Sequence, residues 1–335
     1  MASPLLRSAC GVVLCLLGSP GCRSGEEAVY RETSLVMGTV VEIAVAHRPE
    51  EEARAAIREA LAEFRRIDDA MNPMKPDSLV SILNRDGASS QVAVGKELFE
   101  IIRDAVSLSE ASRGSFDVSV RPLVEAWGFD RGGAHPGSEI IEEKRALVGY
   151  RSLLLREKDH SVGFASPGMA IDLGAIAKGW AVDRAMERLA ARGIDNAIVD
   201  AGGDLRVVGV RPGKDAWRIG VRDPREAGEL LATFQLRDTA IATSGDYERF
   251  FVADGIRYHH VLDPRTGYPA RGCRSVTVLA PTAAEADACA TAAFVLGPAE
   301  GIEFLRSRRG VRGVIVGADG ALHWTDEALA RMAGR

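Results

Sequence analysis

Across residues 197–279, seven short segments rich in Val, Ile, Leu and Thr follow one another with no long helical pattern among them. They span 197–200, 204–210, 217–221, 230–236, 240–243, 257–262 and 275–279. A doubly wound sheet alternates strands with helices, so strands in succession favour an α+β fold. The expected architecture has mixed and antiparallel sheets with packed helices. Apolar residues at helical spacing predict helices over 49–71, 96–112, 179–191, 283–296 and 301–306, with a shorter one over 139–147. In the first of these the apolar face is Ala53, Ala56, Ile57, Ala60, Leu61, Phe64 and Ile67. Residues 35–45 read as one strand bent at Gly38, and 130–138 as a loop. Segments 311–316 and 321–324 read as a closing hairpin around Ala318-Asp319-Gly320.

The chain has 335 residues, 46% hydrophobic, with a formal net charge of −5. An acidic balance argues against nucleic acid as a partner. The N-terminus stands apart. Arg7 precedes an apolar run over 9–18 that is too short to span a bilayer. Gly21-Cys22 resembles the end of a lipobox, although Ser19 stands where Leu is usual. Residues 1–21 are therefore expected to be a lipoprotein signal peptide, Cys22 the lipidated residue, 22–32 a flexible tether and 33–330 the working domain. Such a protein is exported and held at a bacterial membrane by lipid alone, facing the periplasm. Cleavage by an ordinary signal peptidase, or an uncleaved anchor, are the alternatives. Cys273 and Cys289 do not make a disulfide framework.

Several chemistries are absent by inspection. There is no GxGxxG or GxxxxGK[ST] phosphate loop, no HExxH or CxxC, and no GxSxG elbow. Three segments do not look like simple packing. In 171–183, Asp172 lies among apolar residues where a strand is expected to become a helix, with Gly174 beside it and Lys178 in the first turn. A helix start of this kind can meet a phosphate-bearing ligand. The plainer alternative is an Asp that caps the helix, with an exposed Lys. In 281–294, Thr282 and Glu285 form a capping box. Asp287 and Thr291 then share one Ala-rich face, where a lone carboxylate is expensive. A hard cation resolves that cost, and so does an Arg partner. In 243–269, His259-His260 closes a strand before the turn Asp263-Pro264-Arg265-Thr266-Gly267. His260 beside Asp263 suits a general base, titrating near pH 6.5, with His259 on the opposite face. A His satisfied by hydrogen bonds is the alternative.

Together with Met37-Gly38-Thr39, residues 115–120, Pro122-Leu123, Trp127-Gly128-Phe129 and Asp200-Ala201-Gly202-Gly203-Asp204, these segments resemble the FAD:protein FMN transferases, the ApbE family. The resemblance runs from about Met37 to about Gly297. It implies a two-lobed α+β fold with flavin in the cleft between lobes, and Mg²⁺-dependent transfer of FMN from FAD to a Thr hydroxyl, releasing AMP. By the same resemblance Met37, Met74, Ser115, Phe116, Asp117, Asp172, Lys178 and Leu262 line the FAD site. The Ala175 carbonyl, Asp287 and Thr291 hold the metal, while His260, supported by Asp263, takes the proton. The implied acceptor is a flavoprotein subunit of a membrane redox complex. Met74 stands where some members carry an aromatic residue, and Ala290 where some carry a second acidic ligand. An FAD pyrophosphatase, or a flavin-binding lipoprotein without catalysis, are the competing readings.

Overall fold

The computed structural model describes residues 12–13, 28–226 and 228–334. Cys22 and nearly all of the expected leader lie outside the described residues.

In chain order, hairpin β1 (Val29–Val36) and β2 (Thr39–Ala46) leads into helix α1 (Glu50–Met71) and the short α2 (Leu79–Asp86). After β3 (Val92–Ala93) come α3 (Gly95–Ala111), α4 (Arg121–Trp127) and α5 (Ser138–Arg145). Strands β4 (Leu153–Arg156) and β5 (Ser161–Phe164) precede α6 (Ala177–Ala191). The strand-rich half holds β6 (Ala197–Ala201), β7 (Asp204–Val208), β8 (Trp217–Arg222), β9 (Leu230–Leu236), β10 (Thr239–Gly245), β11 (Phe250–Ala253), β12 (Ile256–His259) and β13 (Cys273–Ala280). The chain closes with α7 (Ala283–Leu296), α8 (Pro298–Ser307), β14 (Arg312–Gly317), β15 (Leu322–Trp324) and α9 (Glu327–Met332).

Eight strands form the central sheet in the order β15-β14-β13-β10-β7-β6-β2-β1. Every pairing between these strands is antiparallel, and among the described residues the one parallel contact is the isolated bridge Val120–Ala170, outside this sheet. Alternation along a strand sends successive residues to opposite faces. Val41, Ile43 and Val45 of β2 pack with the helices, while Ala44 and Ala46 pack with β8, β9 and α9. The sheet is thus covered on both faces. Helix α7 is apolar nearly all round and lies inside the helical layer.

Several expectations need correction. The stretch 35–45 is two strands, because Met37 and Gly38 take positive φ (54° and 70°) and reverse the chain. Val29 to Glu32 belong to β1, paired with β2, and not to a tether. Helices α2 and α4 escaped detection because eight and seven residues are too short to establish a period. The strand expected over 257–262 ends at His259, and Leu262 instead bridges Pro269.

A third apolar cluster joins α4 and α5 to the β11–β12 hairpin through Leu123, Trp127, Ile141, Tyr258 and Leu262. Trp127 is fully buried at its centre and donates from Nε1 to the Gly267 carbonyl at 2.8 Å. That bond ties the turn after His260 to α4. Trp127→Ala should therefore lower the free energy of unfolding by about 3–5 kcal/mol in urea titration, and a loss below about 1 kcal/mol would show the cluster to be dispensable.

Candidate active site

A cavity of about 410 Å³ opens where the two halves of the chain meet. Met37 and Gly38 enter it from the β1–β2 turn, Met74 from the loop before α2, and Ser115, Phe116 and Asp117 from the loop before α4. Asp172 and Ala175 come from the loop before α6, Lys178 from its first turn, and Asp287 and Thr291 from α7. His260 and Leu262 come from the segment after β12. The expected site residues within the described part of the chain all border this cavity except Asp263.

One corner is built from charges. Asp287 is buried at 3% exposure, and its Oδ2 accepts from the Gly179 amide at 3.2 Å. The same oxygen lies 3.4 Å from Lys178 Nζ, and Lys178 also pairs with the buried Asp204. Burial works against the Lys178 ammonium, but Asp204 and Asp287 outweigh it and hold its pKa above the ordinary value. The partner of Asp287 is thus a lysine and not an arginine, and Lys178 is not an exposed residue. Thr291 Oγ1 shares a hydrogen bond with Ser244 Oγ at 3.2 Å. Among the described residues no three His, Cys, Asp or Glu side chains converge on one point. The oxygens that the expected ligands would offer an ion are one carboxylate, one hydroxyl and the Ala175 carbonyl, with water and substrate completing the set. That hard, oxygen-only donor set fits Mg²⁺, which keeps waters and binds substrate phosphates.

Tied loops make up much of the remaining lining. Asp117 Oδ1 accepts from Ser119 N at 2.8 Å and Ser119 Oγ at 2.6 Å, and Oδ2 from Tyr150 N at 2.8 Å. Burial pushes its pKa up despite these bonds. Asp117 therefore shapes the wall, with both oxygens already engaged. Ser115 Oγ donates to the Ala292 carbonyl at 3.2 Å, anchoring this loop to α7. Asp172 does not cap α6, whose N-cap Ile176 makes no side-chain bond. Its Oδ1 accepts from Gly174 N at 2.8 Å and its Oδ2 from Arg121 Nη1 at 3.1 Å. Arg121 also holds Glu125 and touches Met74 Sδ at 3.4 Å, with Met74 on the exposed rim.

Arg121, Glu248 and Arg249 line the cavity and were missed. The available signal was a charged residue interrupting an apolar run, as Arg121 does in 118–124. Burial raises the Glu248 pKa, with Lys178 and Arg249 opposing it.

His260 faces the cavity, but its surroundings differ from expectation. Asp263 accepts from Arg265 N at 2.9 Å and Arg265 Nη2 at 2.8 Å, and makes no bond to His260. The Asp-Pro turn bends its carboxylate back onto its own loop, so it does not orient the imidazole. His260 Nδ1 is buried without a hydrogen-bond partner among the described residues. Burial, with Arg249 and His259 adding repulsion, pushes the His260 pKa down to about 3, well below the 6.5 expected. His259 turns away as alternation requires, with Nε2 on the Ala270 carbonyl at 2.6 Å and its ring edge-on to Phe294 at 5.5 Å.

The family model described as "ApbE family" matches residues 37–315. The FAD:protein FMN transferase of Treponema pallidum (strain Nichols) is 35% identical over 329 residues, covering 92% of this chain and 91% of that protein. The enzyme of the same name from Vibrio cholerae (strain O395) is 33% identical over 296 residues, covering 86% of this chain and 87% of the other. Among solved structures, the ApbE protein of Thermotoga maritima superposes with a TM-score of 0.85 at 37% identity, over 92% of this chain and 100% of that one. Flavin transferase ApbE of Vibrio cholerae gives 0.81 at 29% identity, over 90% and 99%. With a family model spanning most of its length and relatives matched nearly end to end, the chain belongs to the ApbE family.

Proposed function

We propose that this protein transfers FMN from FAD to a threonine hydroxyl of a target flavoprotein, releases AMP, and requires Mg²⁺. The observation that carries the reading is that Asp287, Thr291, Lys178 and His260 all line a single cavity. The curated relatives supply the activity to which that arrangement is fitted.

In the proposed reaction the acceptor hydroxyl oxygen forms a bond to the FMN-side phosphorus. The phosphorus–oxygen bond to the AMP side breaks, and AMP leaves with the bridging oxygen. Lys178 contributes positive charge beside the pyrophosphate, and Met37, Phe116, Leu262 and Met74 offer apolar surface to the flavin ring. The Ala175 carbonyl, Asp287 and Thr291 would hold Mg²⁺, which neutralises pyrophosphate charge and favours departure of AMP. His260 accepts the hydroxyl proton at an imidazole nitrogen. Its low pKa keeps it neutral and available, and an anionic pyrophosphate nearby strengthens it as a base on binding. Positioning of hydroxyl and phosphorus does most of the remaining work.

The acceptor we favour is a flavoprotein subunit of a membrane redox complex. Export and lipidation at Cys22 would place the enzyme on the periplasmic side of the membrane. Among the described residues no helix is long and apolar enough to cross a membrane.

Incubation with FAD, Mg²⁺ and a threonine-bearing acceptor peptide should yield covalent flavin on the peptide, and both EDTA and Asp287→Ala should abolish it. Free FMN alone would favour pyrophosphatase activity, intact FAD simple binding, and full activity in EDTA would reject the metal. His260→Ala should slow transfer by about 10²–10⁴-fold while FAD still binds. The pH profile carries the same signature. The native imidazole takes up a proton only near pH 3, so kcat/KM should show no acid limb near 6.5. Because the unfolded chain protonates this His near 6.5, stability should fall as pH drops from about 6.5 toward 3, and His260→Gln should flatten that slope. Cys22→Ser should move the protein out of the membrane fraction, and mass spectrometry finding an unmodified terminus elsewhere would reject lipidation.

A further inference from the structure

Helices α6 and α7 meet where no side chain separates their backbones. A Cβ added at Gly179 would lie 2.2 Å from the Ala283 carbonyl oxygen, so only glycine permits this approach. One turn further along α6 stands Asp183, buried and away from the cavity. Its Oδ1 accepts from Ala283 N at 3.0 Å and its Oδ2 from Ala284 N at 2.9 Å. These are the first two amides of α7, which find no acceptor within their own helix. Helix α7 also carries its own cap, since Thr282 Oγ1 accepts from Glu285 N at 3.2 Å. Asp183 is thus a second cap, supplied by a neighbouring helix. Arg206 Nη1 of β7 donates to Asp183 Oδ1 at 2.8 Å, which neutralises the carboxylate and fixes its direction.

We propose that Asp183 is a positioning residue for the cation corner, setting the distance between its α6 side and its α7 side and thereby its metal affinity. The proposal rests on the reading of Ala175, Asp287 and Thr291 as metal ligands. Ala175 lies just before α6, whereas Asp287 and Thr291 lie on α7, so the donors are spread over both helices. Mg²⁺ demands near-octahedral geometry with oxygens at about 2.0–2.1 Å, which a small slip between helices would spoil. Besides the Lys178–Asp287 ion pair, two links to backbone amides resist that slip. Gly179 N bonds Asp287, and Asp183, four residues later on the same face, bonds the amides one turn before Asp287. Gly179 and the Lys178 pair both act at Asp287, so without Asp183 they leave a pivot there; Asp183 adds a second point of attachment that fixes rotation as well as distance.

The test is Mn²⁺ binding in the presence of FAD, followed by the EPR signal of the free ion, on the full chain. Asp183→Asn keeps the shape but replaces one acceptor with a donor facing an N–H. It should weaken Mn²⁺ binding by about tenfold or more, in the range seen when groups supporting metal ligands are removed. Its kcat at saturating Mg²⁺ should stay near wild type while KM for Mg²⁺ rises, because Asp183 touches no reacting atom. Thr282→Val breaks only the cap within α7. It should lower Tm and leave Mn²⁺ affinity unchanged, which separates helix registration from general destabilisation. Should Asp183→Asn fail to fold, Arg206→Gln carries the same expectation with a smaller weakening. Wild-type affinity in the Asp183 and Arg206 variants, or equal weakening by Thr282→Val, overturns the proposal. If Asp287→Ala also binds Mn²⁺ like wild type, the metal reading itself fails and takes this proposal with it.

Discussion

Burying a carboxylate is costly unless a cation and hydrogen bonds meet it, and three carboxylates in this fold, Asp183, Asp204 and Asp287, are each 3% exposed. Their compensation is shared. Strand β7 presents Asp204 and Arg206 on one face, about 7 Å apart. Helix α6 presents Lys178 and Asp183, about 7.5 Å apart along its axis. The signs alternate, so Asp204 meets Lys178 and Arg206 meets Asp183. Lys178 and Asp183 then reach across to α7, at Asp287 and at its first amides. Strand, helix and helix are keyed by charge where an apolar contact would allow sliding.

That keying explains the composition of α7. A helix so rich in alanine packs closely but offers little shape to set its rotation, since Ala side chains interdigitate poorly. Polar links at its start, at Asp287 and at Thr291 supply the missing registration. The same helix receives Ser115 on the Ala292 carbonyl. One buried element therefore holds the charged corner and the loop that faces it.

The cavity's two sides are stabilised by different physics. The charged corner depends on paired ions in a low-dielectric setting, where each partner's loss would strand the other. The His260 side depends on the aromatic cluster around Trp127 and on the turn that Gly267 closes onto it. Burial, reinforced by the nearby charges of Arg249, His259 and Lys178, depresses the pKa of His260, whose Nδ1 has no hydrogen-bond partner among the described residues.

Much was legible because it is local. Periodicity placed α1, α3 and α7 within a residue or two, the capping box at Thr282 marked the start of α7, and spacing put Asp287 and Thr291 on one face. Motif order identified the family to which the chain belongs. Partner choice was not legible. Nothing in the residues around Asp287 says that its cation is Lys178, 109 positions away, when the chain holds many arginines. Asp263 stands three residues after His260, yet the turn between them points its carboxylate at Arg265. The depressed pKa of His260 and the entry of Arg121 into the cavity likewise depend on what packs around them. Short-range spacing by itself determined which faces and elements exist. Only the tertiary structure decided which charges meet, because electrostatic pairing depends on distance in space and on burial, and a sequence specifies neither until the chain has packed.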